Sequence, residues 1–148
     1  MSQSKMQIFL ADDDQDDRLL FEEVLSEINI SKELTMFKNA IELMEHLNKE
    51  DVVLPHIIFL DLNMPFISGA EALKEIRNNQ RFRDVSVAIY STSSLEKDIE
   101  ETFINGANIY ITKPNDYGTL KKIIKNVLNI NWHYHTSGLN RETFFYNV

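Results

Sequence analysis

The sequence predicts an α/β protein, a doubly wound five-stranded parallel sheet flanked by helices. Two observations carry this. Five short apolar runs alternate with stretches whose apolar residues recur at helical spacing, and strand-then-helix units in series imply a parallel sheet with helices on both faces. The central run Ile57-Ile58-Phe59-Leu60 is also apolar throughout and stops abruptly at Asp61, as a strand buried on both faces would. At 148 residues the chain is long enough to bury a proper core. No repeat, linker or low-complexity segment divides it. Residues 1–130 are expected to form the domain, and residues 131–148 an aromatic-rich tail that packs on the domain or on a partner.

Met6 to Leu10 reads as the first strand, closed by Asp12-Asp13-Asp14. Leu19, Leu20, Val24, Leu25 and Ile28 then recur at helical spacing, and Asp14, Asp16 and Asp17 suit the positive end of that helix dipole. Leu34 to Phe37 is a weak second strand. Asn39 is placed to cap a helix bearing Ala40, Leu43, Met44 and Leu47 on one face. The third strand, Ile57 to Leu60, leads through Asp61 into the turn signals Pro65 and Gly69. Ala72, Leu73 and Ile76 mark the next helix, which fades in Arg77 to Arg83. Val85 to Tyr90 is the fourth strand, ending in Ser91-Thr92-Ser93-Ser94. Ser93 with Glu96 resembles a capping box, and Gly106 is a fitting stop for the helix that follows. Ile109 to Ile111 is the fifth strand, followed by Thr112-Lys113-Pro114. Leu120, Ile123, Ile124, Val127 and Leu128 give the last amphipathic helix.

Composition excludes several classes. A net charge of −8, from 15 basic and 23 acidic residues, disfavours nucleic acid and anionic membrane surfaces. With no cysteine there is neither a disulfide frame nor a thiol nucleophile. The N-terminus lacks the apolar core of a signal peptide, and no run approaches transmembrane length, so a cytoplasmic location is expected. On that ground the sequon Asn29-Ile30-Ser31 reads as chance.

Chemistry gathers at one sheet edge. The carboxyl ends of strands one, three, four and five would bring together Asp12, Asp13, Asp61, Ser91 and Lys113. Three converging carboxylates repel one another and raise at least one pKa unless a hard divalent cation intervenes; oxygen donors of this kind suit magnesium. A lysine and a hydroxyl beside such a carboxylate are the parts that steady a transferring phosphoryl group, and Asp61 could itself be the nucleophile.

Asp12-Asp13 after a strand, Asp61 followed by Met64-Pro65 and Gly69, Ser91 after the fourth strand, and Lys113-Pro114 resemble the receiver domain of response regulators, the CheY-like superfamily. The resemblance spans roughly residues 6 to 128. It implies the flavodoxin-like strand order 2-1-3-4-5 and a stand-alone module of a two-component phosphorelay, rather than an enzyme. It makes Asp61 the phosphoacceptor, Asp13 and Asp61 direct ligands of Mg2+, Asp12 a ligand through water, and the Asn63 main-chain carbonyl a further ligand. Ser91 would bond the phosphoryl group, and Lys113 would pair with one of its oxygens. Tyr110 would turn inward with Ser91 as a switch that alters the fourth helix, fifth strand and fifth helix. The implied partners are a sensor histidine kinase or phosphotransfer protein and a downstream protein target, and receivers also pair with themselves through the fourth and fifth helices. Three positions depart from the commonest pattern: Ser91 replaces Thr, Thr92 replaces a small Ala beside the entry, and Asp14 extends the acidic pair.

Other readings fit less well. Asp12, Asp14, Asp16 and Glu23 mimic a calcium loop, but Asp17 occupies the position that needs glycine. A flavodoxin-type cofactor protein would need a phosphate-cradling loop after the first strand, where three aspartates stand instead. His56 lies at the wrong end of its strand for catalysis, and His133 and His135 lack a third metal ligand nearby. A receiver fold used only for docking or dimerisation, without phosphorylation, is the alternative from another class.

Overall fold

The computed structural model describes residues 5–130 and the two-residue strand at 145–146. The elements run β1 (Met6–Ala11), α1 (Gln15–Ser26), β2 (Lys32–Phe37), α2 (Ala40–Leu47), β3 (Ile57–Leu60), α3 (Gly69–Asn78), β4 (Ser86–Ser91), α4 (Glu96–Ile104), β5 (Ile109–Thr112), α5 (Tyr117–Leu128) and β6 (Phe145–Tyr146). The first five strands form the expected all-parallel sheet in the order 2-1-3-4-5. β6 extends it, pairing in parallel with the edge of β5 through Tyr110–Phe145 and Ile111–Tyr146. A strand of two residues has no periodicity to betray it. The packing expected of the aromatic-rich tail's side chains lies outside the described residues, as do His133 and His135.

Alternate residues of each strand serve opposite faces, as the pleat requires. Phe9, Ile58, Leu60, Val87, Ile89 and Tyr110 pack under α2, α3 and α4. Ile8, Leu10, Ile57, Phe59, Ala88 and Tyr90 pack under α1 and α5. β3, in the middle, is buried at all four positions.

Some local expectations need correction. Leu19 is exposed, and Phe21 takes its place in the core, stacking edge-to-face on Phe59 at 4.9 Å and on Tyr90 at 5.7 Å. The buried face of α1 is set by Phe21, Val24 and Leu25, with Ile28 buried just beyond the helix end, and Leu19 falls on the other side. α4 starts at Glu96 without the Ser93–Glu96 capping box; the Ser93 hydroxyl instead donates to Asp98 and accepts from the Leu95 N–H. Among the described residues a capping box lies at α3, where Ser68 and Glu71 cap each other. Asn39 caps α2 as expected, and Gly106 ends α4 at φ 99. His56 is structural: its Nδ1 accepts from the Gln7 N–H at 2.9 Å at the amino end of the sheet. No helix among the described residues is long and apolar enough to cross a membrane.

The Ser68 cap anchors the start of α3 beside the loop that follows Asp61. Ser68→Ala is expected to cost about 1 kcal/mol, the usual scale for a lost N-cap. Urea unfolding would measure it.

Candidate functional site

Register brings the site together. Ala11 pairs with Leu60, so Asp12 and Asp61 follow on neighbouring strands, and the Asp61 N–H donates to the Ala11 carbonyl at 3.0 Å. Ser91 pairs with Thr112, and the Lys113 N–H donates to the Ser91 carbonyl at 2.7 Å. One edge thereby collects Asp12, Asp61, Ser91 and Lys113, together with Asp13 from the turn after β1.

The acidic run divides its labour. Asp14 caps α1, accepting from the Asp16 and Asp17 N–H groups. Asp12 is fully buried, Asp61 is only 5% exposed, and Asp13 faces solvent. One carboxylate oxygen from each of Asp12, Asp13 and Asp61 lies within 4.8 Å of the others. α1 already begins at Gln15, so the residues from Asp12 to Glu23 form no calcium loop.

The Lys113 ammonium enters this cluster. It lies 2.8 Å from Asp12 Oδ2, 2.9 Å from Asp17 Oδ2 and 3.5 Å from Asp61 Oδ2, and 5.1 Å from the centre of the Tyr90 ring. Burial pushes the Asp61 carboxyl up to about 6, with Lys113 opposing and Asp12 adding to the rise. Burial would pull Lys113 down, but its hydrogen bonds to Asp12 and Asp17 outweigh that and hold it above the ordinary lysine range. It therefore stays an ammonium at neutral pH. The Asn63 N–H donates to Asp61 Oδ1 at 3.4 Å.

Ser91 and Tyr110 meet at Ser93, whose role extends beyond the helix cap its sequence position suggests. The Ser91 hydroxyl accepts from the Ser93 N–H at 3.1 Å, and the Tyr110 hydroxyl donates to the Ser93 carbonyl at 2.7 Å. Tyr110 is turned fully inward. Through the Ser93 hydroxyl this loop is tied to Asp98 in the first turn of α4. Sequence reasoning also missed Asp17 and Tyr90 as neighbours of Lys113; the only signal was that Asp17 stands one helical turn beyond Asp13.

The sequence profile described as the response regulator receiver domain matches residues 8–125. The chain belongs to the response regulator receiver family. Such receivers are signalling modules of two-component systems, and they interact with histidine kinases or phosphotransfer proteins and with downstream targets. This receiver is 31% identical over 124 residues to response regulator Rcp1 of Synechocystis sp., an alignment covering 81% of this chain and 84% of that protein. The crystal structure of the phosphorylated cyanobacterial phytochrome response regulator RcpA superposes with a TM-score of 0.78 at 31% identity, covering 84% of this chain and 91% of that one. The Mn2+-bound form of Rcp1 superposes at 0.76 with 30% identity, covering 82% and 91%.

Proposed function

We propose that this receiver takes a phosphoryl group from a phosphohistidine on a sensor histidine kinase, or on a phosphotransfer protein, and holds it on Asp61. A carboxylate oxygen of Asp61 forms the new bond to phosphorus while the P–N bond breaks. The imidazole leaves with the bonding pair and takes a proton from solvent. Hydrolysis reverses the state: water attacks phosphorus, the acyl O–P bond breaks, and carboxylate and inorganic phosphate result.

The observation that carries this reading is the convergence of three carboxylates within 4.8 Å, with the Lys113 ammonium 3.5 Å from Asp61 Oδ2. The donor set of Asp12, Asp13 and Asp61 is all oxygen and fits Mg2+, and the Asn63 main-chain carbonyl would join it as the family resemblance implies; a relative with this fold has been solved with Mn2+. When bound, such a cation neutralises charge on the phosphoryl oxygens. Lys113 would pair with one of those oxygens, and the Ser91 hydroxyl would donate a hydrogen bond to the group. Ser91 and Tyr110, joined at Ser93, carry the change to α4, β5 and α5, where a downstream protein target would read it. On this reading the protein acts in the cytoplasm as a signalling module, promoting its own phosphorylation and dephosphorylation rather than turning over a separate substrate.

Incubation with acetyl phosphate and Mg2+ should add one phosphoryl group by intact mass. A folded wild type that gains none would refute the reading.

A further inference from the structure

The geometry points to Asp17 as a positioning residue that competes with the phosphoryl group for Lys113, an inference that rests on the phosphoacceptor reading above. An ammonium has three donors. Here the two short, charge-assisted contacts go to Asp12 at 2.8 Å and Asp17 at 2.9 Å, while Asp61 Oδ2 lies at the 3.5 Å limit of a hydrogen bond. Asp12 and Asp61 are buried members of the carboxylate cluster, but Asp17 is not among the three converging residues and keeps 32% of its side chain exposed. It comes from the first turn of α1, held there by the Asp14 cap that accepts its N–H. The Tyr90 ring, 5.1 Å from the ammonium, adds a cation–π contact. Lys113 is thus partly engaged before any phosphoryl group arrives. A phosphoryl group on Asp61 must draw the ammonium away from Asp17, and the Asp17 carboxylate is then left beside a group of its own sign. Both effects weaken the phosphorylated state, so Asp17 sets its stability without touching the reacting atoms.

The test is titration with beryllofluoride, a phosphoryl mimic, and Mg2+, using wild type, Asp17→Asn, Asp17→Glu and Asp16→Asn. Asp16 is exposed in the same turn and controls for net charge. Asp17→Asn should bind beryllofluoride about fivefold more tightly, the scale of a partly exposed ion pair. Asp17→Glu, which keeps the charge, should stay near wild type, and Asp16→Asn should not change. In the metal-free protein, Asp17→Asn should also speed proton exchange at the Lys113 ammonium, followed by 15N NMR of the side-chain amine. Unchanged or weaker beryllofluoride binding in Asp17→Asn, equal tightening in Asp16→Asn, or unchanged exchange at Lys113 would each overturn the proposal. A wild type that binds no beryllofluoride would instead remove the phosphoacceptor reading, and this inference with it.

Discussion

Asp61→Asn should leave a protein that accepts no phosphoryl group yet is more stable than wild type at neutral pH. The sign follows from burial. The folded-state carboxyl titrates at about 6, against an ordinary value of 3.8. Below the ordinary value the group is protonated in both folded and unfolded chains, and its contribution to stability is fully present. As pH rises through about 6 the folded state must give up that proton at a buried position beside Asp12, and the contribution is lost. That rise in pKa corresponds to at most ~3 kcal/mol. The amide carries no charge at any pH, and Lys113 keeps Asp12 and Asp17 as partners. The variant should therefore exceed wild type by about 1–2 kcal/mol at pH near 7.5 without divalent ions, and the gap should close towards pH near 4. Added Mg2+ should narrow it at the higher pH by stabilising the wild type alone. Urea unfolding at both pH values would measure this, and a wild type more stable than Asp61→Asn at neutral pH would contradict it.

Gly69→Ala should be the most damaging conservative change in the domain. A Cβ there would lie 2.0 Å from the Asp61 carbonyl oxygen and 2.8 Å from Leu62 Cα, both main-chain atoms that cannot rotate aside. The Gly69 N–H also donates to the Leu62 carbonyl at 2.9 Å, closing the loop after β3 onto the start of α3. Relief requires moving the backbone that carries Asp61. Overpacking of this kind costs about 1–3 kcal/mol. The greater loss should be functional, because displacement of a reacting group by about 1 Å can cost on the order of a hundredfold in rate. Thermal unfolding and the initial rate of phosphorylation by acetyl phosphate, measured side by side, would separate the two effects. A variant with wild-type rate would show that the loop tolerates the shift.

How legible these features were depends on their range. β3 and Asp61 could be read directly, because four apolar residues bounded by a carboxylate and turn signals fit a short buried strand. Asp12 and Lys113 followed, since parallel strands carry their carboxyl ends to one edge. The Gly69 landmark was visible as a turn signal, but not its role. Only the folded chain shows that α3 begins against the Asp61 carbonyl. The Asp17–Lys113 contact was hidden for a similar reason: it joins a helix turn to a strand end 96 residues away, and depends on side-chain reach. Ser93 in sequence suggests part of a helix cap, which hydroxyls at loop ends often are, whereas its backbone binds both Ser91 and Tyr110.

Asp61, and no other carboxylate of the cluster, should carry the phosphoryl group. Borohydride reduces an acyl phosphate on aspartate to homoserine, so reduction after exposure to acetyl phosphate and Mg2+ marks the acceptor permanently. Peptide mass spectrometry should then find homoserine at position 61 and intact aspartate at positions 12, 13 and 17. Homoserine at one of those three positions, or at none of the four, would rule Asp61 out as the acceptor.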